Sequence, residues 1–125
     1  MIKKINISND FLTLKIDENC GKIISFENNK SNLLSNTQPP LLTLRFRGES
    51  GERIDIDVSK ANFSDVIRNG NGYAIKYSDF DGIDLTATVF IDFDEKSKFI
   101  NWRAKCESDL QLEWLEFPSF CVQDT

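Results

Sequence analysis

Residues 85–93 read LTATVFIDF, and this stretch decides the fold class because apolar and polar side chains alternate along it. Successive residues of an extended strand point to opposite faces of a sheet, so a period of two predicts a strand with one buried face. Such alternation is typical of an antiparallel sheet covered on one side. The side chains expected on the buried face are Leu85, Ala87, Val89, Ile91 and Phe93.

The same alternation recurs in residues 11–17 (FLTLKID), 42–47 (LTLRFR) and 53–58 (RIDIDV). Short polar segments rich in Gly, Asn and Asp separate the runs and predict hairpin turns. No window carries the 3.6-residue apolar stripe of an amphipathic helix. The sequence therefore predicts an all-β fold, an antiparallel β-sandwich of about ten strands. The predicted hairpin turns are residues 17–21, 48–51, 69–72, 79–82, 94–97 and 107–109.

The chain has 125 residues, which is the size of one domain, and we expect residues 1–125 to form a single β-sandwich. It carries 15 basic and 20 acidic side chains, a net charge of −5. An acidic balance argues against nucleic acid or an anionic membrane as the main partner, since both select basic surfaces. With no signal-like or spanning apolar run, a cytoplasmic location is expected, although the parent of a truncated chain could be secreted.

The chain contains no histidine, the side chain that most often moves protons near neutral pH and the commonest metal ligand. Cys20, Cys106 and Cys121 are an odd set without CxxC spacing, which predicts reduced thiols. Triads that activate Ser or Cys through histidine are excluded in their usual form. We therefore assign no catalytic residue, no metal and no cofactor to this chain.

Two pairs of carboxylates are candidates for catalysis. Asp55 and Asp57 are the first pair, since residues two apart on a strand share a face. The preceding hairpin supplies Arg45, Arg47 and Arg53 as partners for them. A solvated face of cross-strand charge pairs accounts for all five side chains better than catalysis does.

Glu113 and Glu116 are a second pair, one on each side of Trp114. An odd separation sends two strand residues to opposite faces, so this pair fails unless a bulge intervenes. Residues 79–84 (DFDGID) resemble the start of a calcium loop, but the twelfth position is Phe90 where such loops need glutamate. A hairpin turn is the better interpretation there, with weak metal binding by its aspartates as the alternative.

Aromatic side chains provide two further hypotheses. The first is sugar stacking by exposed rings, although core packing is the commoner role of such rings. The second is an apolar patch that meets a partner or a following domain, because Phe90 and Phe99 fall among polar residues of their strands. Candidate sugar-binding residues are Trp102, Trp114, Tyr73 and Tyr77, and candidate docking residues are Phe90, Phe99, Leu115, Phe117 and Phe120.

Residues 7–17 (ISNDFLTLKID) and 21–26 (GKIISF), followed by a polar loop over residues 28–36, resemble the opening hairpin of a known group of domains. These are the galactose-mutarotase-like supersandwich domains that precede the catalytic barrel in large glycoside hydrolases. The ending LEWLEFP at residues 112–118 is similar to their late strand, which usually packs toward the barrel. The resemblance implies a supersandwich-like fold and an N-terminal fragment of a longer chain.

The resemblance also implies that the two catalytic carboxylates belong to a downstream barrel, and that the histidine of the mutarotases has no counterpart here. The expected function is a non-catalytic N-terminal module of a glycoside hydrolase. It would pack on the catalytic domain of the same chain and help to shape its sugar site. The alternative is an autonomous carbohydrate-binding module that uses two or three surface aromatics in an open row.

Overall fold

The computed structural model describes residues 4–8, 12–17, 22–28, 38–69, 72–92 and 100–119. Over these residues the chain forms ten strands and one short 3-10 helix, Val58–Lys60, so the predicted all-β fold is confirmed. The strands are β1 (Lys4–Ser8), β2 (Leu12–Asp17), β3 (Lys22–Asn28), β4 (Thr43–Arg47), β5 (Arg53–Asp57), β6 (Phe63–Asn69), β7 (Gly72–Ser78), β8 (Thr86–Asp92), β9 (Asn101–Glu107) and β10 (Gln111–Glu116).

The strands pair antiparallel throughout and form three sheets in the described residues. Their orders are β1-β2-β3, β10-β4-β5 and β6-β7-β8-β9. An isolated bridge between Lys22 and Pro40 connects the start of β3 to the segment that leads into β4. The first two sheets are thereby joined through the chain just before Leu41, whose side chain is fully buried.

One buried cluster takes side chains from all three sheets, which is the sandwich-like arrangement that the alternating pattern predicts. Along β8 every second residue is buried, as expected from the segment that decides the fold. Because the pleat sends alternate side chains to one side, cross-strand neighbours such as Ile75 and Val89 meet on the buried face. The largest fully buried side chains are Tyr77, Phe46, Phe80, Leu14, Ile16, Ile23, Leu41, Leu42, Leu44, Ile75 and Ile91.

Several predicted hairpins are confirmed by the pairing of their flanking strands. The turn at residues 48–51 joins β4 to β5, and that at residues 79–82 lies between β7 and β8. The pairs Asp17–Lys22 and Asn69–Gly72 close the hairpins β2–β3 and β6–β7. The turn expected at residues 94–97 lies outside the described residues.

The hairpin expected at residues 107–109 is wrong, because β9 and β10 belong to different sheets. β9 pairs with β8, whereas β10 pairs with β4. The hydroxyl of Ser108 donates to the carbonyl oxygen of Asp84, and the amide of Asp109 donates to the Asp84 carboxylate over 2.9 Å. These bonds hold the connection between β9 and β10 against the chain that precedes β8.

Candidate functional site

The outward face of the sheet β10-β4-β5 carries a charged cluster around one tryptophan. Strict alternation along β4 and β5 buries Leu44, Phe46 and Ile56 and turns the polar residues between them outward. Antiparallel register places Arg45 between Asp55 on β5 and Trp114 on β10. The predicted cross-strand charged face is therefore present, with an aromatic ring added to it.

Asp55 is held by two arginines. Its Oδ1 accepts from Arg45 Nε over 2.9 Å, and its Oδ2 accepts from Arg53 Nε over 3.0 Å and lies 2.9 Å from Arg53 Nη2. The Arg45 hydrogen bond is the main reason that the pKa of Asp55 lies below its ordinary value. The bond from Arg53 and both positive charges act in the same direction and outweigh the opposing effect of desolvation. Asp55 is therefore a fixed carboxylate that orients Arg45.

Arg47 connects three segments at the end of the same face. Its Nη1 donates to the carbonyl oxygen of Gly51 over 2.7 Å, which ties it to the β4–β5 turn. Its Nη2 lies 2.9 Å from Glu113 Oε1 and 3.2 Å from Oε2, which ties it to β10. Both terminal nitrogens of Arg47 are thus committed to partners within the protein.

β10 contains a bulge, since Leu112 pairs with Phe46 while Trp114 pairs with the next residue, Arg45. Glu113 is the extra residue, and its ion pair with Arg47 places its carboxylate on the outward face with Trp114. The odd separation of Glu113 and Glu116 predicts opposite faces for them unless a bulge intervenes, and this is that bulge. Register also puts Glu116 opposite Thr43 on this face, so the two glutamates share a face.

Trp114 presents an exposed ring on this face, with 44% of the residue accessible to solvent. The guanidinium carbon of Arg45 lies 5.1 Å from the centroid of the ring, within the range of a cation–π contact. Trp114 is the most exposed of the four predicted sugar-binding aromatics.

The other three predicted sugar-binding rings lie in the four-stranded sheet. Tyr77 is fully buried, so its ring offers no face to a sugar. Tyr73 and Trp102 are half-buried against the core, and Trp102 meets Phe117 edge-on with the ring centroids 6.2 Å apart. Because these rings and Trp114 belong to different sheets, the four do not form one open row.

The predicted docking residues have different surroundings. Leu115 is 45% exposed, whereas Phe117 is half-buried against the core. Phe90 lies on the outward face of its sheet, as expected, but the Arg103 guanidinium stacks over its ring at 4.2 Å. Phe99 and Phe120 lie outside the described residues.

Sequence reasoning missed four exposed apolar residues: Ile24 on β3, Leu112 on β10, and Phe63 and Ile67 on β6. All three strands lie at the edge of a sheet and are paired with another strand on one side only. The alternation along a strand predicts which face of the sheet a residue occupies. Whether the strand lies at the edge of the sheet depends on the order of the strands, which the alternation does not show. No local signal in the sequence could have identified these residues as exposed.

The remaining carboxylates considered for chemistry have local structural roles. Asp57 caps the 3-10 helix by accepting from the amide of Ser59 over 2.9 Å. Asp81 accepts from Asn62 Nδ2 over 2.6 Å in the turn before β8. Among the described residues, no three acidic or cysteine side chains are grouped in a way that could hold a metal ion.

Comparison with protein-family models and with curated proteins found no match to this chain. No helix in the described part of the chain is long and apolar enough to cross a membrane.

Proposed function

We propose that this chain is a non-catalytic β-sandwich module of a glycoside hydrolase that packs on the catalytic domain through β10 and helps to shape its sugar site. One observation carries the proposal. Of the six large apolar residues exposed in the described chain, three lie on this single edge strand: Leu112, Trp114 and Leu115. All six residues of β10 are exposed.

Leu112 and Leu115 continue the buried face of the sandwich beyond its last covered strand. They pair with Phe46 and Leu44, which are almost completely buried, yet are themselves 38% and 45% exposed. A domain placed against this edge would bury the rest of both side chains. Full burial of a leucine is worth about 1.5–3 kcal/mol, so covering the exposed parts of the two would contribute about 2 kcal/mol together.

The ionic state of the outward face supports a non-catalytic role. A glycosidase acid needs a carboxyl group whose pKa is raised so that it holds its proton near neutral pH. Asp55 has its pKa shifted in the opposite direction by Arg45 and Arg53. Glu113 is paired with Arg47. These two carboxylates are therefore held in ion pairs with arginines, an arrangement that does not suit a proton donor.

An autonomous carbohydrate-binding module is the second candidate, and the exposed ring of Trp114 is the observation that favours it. Such modules stack a sugar chain on a row of rings. Burial of Tyr77 and the separation of the four predicted rings between two sheets favour the docking module instead.

Hydrogen–deuterium exchange tests the docking proposal. The amide protons of β10 are compared in the complete gene product and in residues 1–125 alone. Slower exchange of β10 in the longer protein is expected, and it should be lost in Leu115→Glu. The matched control is Ile67→Glu, which places the same charge at a 50% exposed position on another edge strand. Equal exchange in both proteins, or a gene product without a further domain, would overturn the proposal.

A panel of chromogenic glycosides tests the absence of catalysis. The isolated chain should release no chromophore, while the complete gene product should hydrolyse at least one glycoside. Turnover by residues 1–125, lost in Asp55→Asn or Glu113→Gln, would contradict the non-catalytic assignment.

A further inference from the structure

We infer that the peptide bond between Asp81 and Gly82 is a site of spontaneous isoaspartate formation, and hence a methyl-acceptor site for an isoaspartyl methyltransferase. Both residues lie in the turn between β7 and β8, and both are exposed to solvent. The inference goes beyond the proposed function and holds whether or not β10 docks on a second domain.

The reaction begins with attack of the Gly82 amide nitrogen on Cγ of Asp81. A bond forms between nitrogen and Cγ, and one carboxyl oxygen leaves as water with the amide proton and the acid proton, which closes a succinimide ring. Water then opens the ring. Breaking the bond from nitrogen to Cγ restores aspartate, whereas breaking the bond from nitrogen to the Asp81 carbonyl carbon gives isoaspartate, in which the chain runs through Cβ and Cγ. No atom is gained or lost overall.

Gly82 presents an accessible nucleophile. Glycine has no Cβ to shield its amide nitrogen, and Asp81–Gly82 is the only Asp–Gly pair in the sequence. A Cβ placed on Gly82 would meet no atom beyond its chain neighbours within 4 Å, so the space around it is open. Within the described residues the Gly82 amide donates no hydrogen bond, so none has to be broken before the attack.

Asp81 is held in a conformation that favours the product. Asn62 Nδ2 donates to Asp81 Oδ1 over 2.6 Å, while in the described part of the chain Oδ2 accepts no hydrogen bond and can leave as water. The φ of Asp81 is 25°, in the left-handed region that is unfavourable for residues with a Cβ. This strain comes from the approach of Cβ to the following carbonyl oxygen. The isoaspartyl linkage carries the chain through Cβ itself and is not subject to that clash.

Asp79 provides a comparison within the same turn. It is also exposed and has a φ of 62°. The residue that follows it is Phe80, which is only 2% exposed and belongs to the core cluster. Ring closure at Asp79 would have to move the backbone that carries this buried ring, so Asp79 should remain aspartate.

The test incubates the chain at neutral pH and body temperature and takes samples over several weeks. Tryptic peptides of each sample are separated and offered to isoaspartyl methyltransferase with labelled S-adenosylmethionine. Cleavage places Asp81 in peptide 77–96, whereas the two Asn–Gly pairs, which also form succinimides, fall in peptide 69–76. The methyl label accepted by peptide 77–96 should rise with time, and electron-transfer fragmentation should locate isoaspartate at Asp81.

One variant and a matched control identify the reacting carboxyl group. Asp81→Glu keeps the charge but would have to close a larger ring, which forms far more slowly, so the label in peptide 77–96 should be lost. Asp79→Glu makes the same change two residues earlier and should leave the label unchanged. Circular dichroism confirms that both variants are folded, and the time course on the unaltered chain needs no variant.

Hydrogen exchange of the Ile83 amide gives a second readout. This amide donates to the carbonyl oxygen of Phe80 over 3.0 Å, across Asp81 and Gly82. Isoaspartate adds one atom to the chain between the two groups, which breaks the bond. A population with faster exchange at Ile83 should therefore grow as the label accumulates.

Three results would overturn the inference: no label in peptide 77–96 of the unaltered chain, as much isoaspartate at Asp79 or Asp84 as at Asp81, or undiminished label in Asp81→Glu. Label that accumulates without any change in Ile83 exchange would overturn the place given to the reaction in the folded turn. None of these results involves the β10 amides, so failure of this inference and failure of docking are distinguished.

Discussion

Replacing Gly72 by alanine tests the close approach of β7 to β8 in the four-stranded sheet. A Cβ atom at this position would lie 2.4 Å from the carbonyl oxygen of Ile91 and 2.9 Å from the Cα of Asp92. Both atoms belong to the backbone of the neighbouring strand and cannot rotate away. Because Cβ contacts below 3.0 Å are essentially never observed, the strands must separate by about 0.6 Å (3.0 minus 2.4).

The expected cost follows from two opposing effects. Forcing an extra methyl group into a packed site costs about 1–3 kcal/mol. Alanine restricts the unfolded chain more than glycine does, which returns about 0.4–1 kcal/mol. Gly72→Ala should therefore lower the free energy of unfolding by about 1–2 kcal/mol, or lower Tm by roughly 3–10 °C for a domain of this size.

Gly48→Ala is the matched control, since a Cβ there would meet the carboxylate end of the Glu52 side chain rather than backbone. A flexible side chain can swing away, so this variant should stay within about 0.5 kcal/mol of the unaltered chain. Urea unfolding followed by circular dichroism measures both. A Gly72→Ala chain as stable as the unaltered one, or an equal loss in Gly48→Ala, would refute the steric argument.

Three further predictions concern packing, pH and thiol reactivity. Phe46→Ala should cost about 3–5 kcal/mol because the ring is fully buried, whereas Phe63→Ala, at a residue 61% exposed, should cost under about 1 kcal/mol; urea midpoints would contradict this if the two matched. The lowered pKa of Asp55 means that its ion pairs stabilise the fold above the ordinary value of 3.8 and are lost as pH falls through the folded-state value. The stability difference between the unaltered chain and Asp55→Asn should therefore shrink from pH 7 to pH 3, and a constant difference would contradict the assignment. Burial raises the pKa of Cys106, so in a chain lacking the other two thiols its alkylation at pH 8 should accelerate on addition of urea, and equal rates would argue against its burial.

The period of two in the sequence was sufficient to predict the fold class and much of the core. Phe46, Val89 and Ile91 are buried as the alternation requires, because burial on one face of a strand depends only on the pleat. The charged character of the outward face of β4 and β5 was likewise predictable. Its partners Arg45 and Asp55 are separated by one short hairpin, which local turn signals reveal.

The sequence was not sufficient to predict which strand pairs with β10. Turn residues at 107–109 are equally compatible with a hairpin and with a crossing to another sheet, and the order of strands selects between them. The meeting of Trp114 with Arg45 depends on that order, because the two residues are far apart along the chain. The exposure of Leu112 and Leu115 has the same origin, since a strand at an edge lacks a neighbour on one side.

The bulge at Glu113 also makes one position of β10 tolerant of a change in chain length. Elsewhere in a paired strand, losing or gaining one residue would invert every side chain beyond it. Removal of Glu113 would instead restore a regular ladder, in which Leu112 still pairs with Phe46 and Trp114 with Arg45. Related sequences could therefore differ in length by one residue here while keeping the aromatic ring and the two leucines on their present faces.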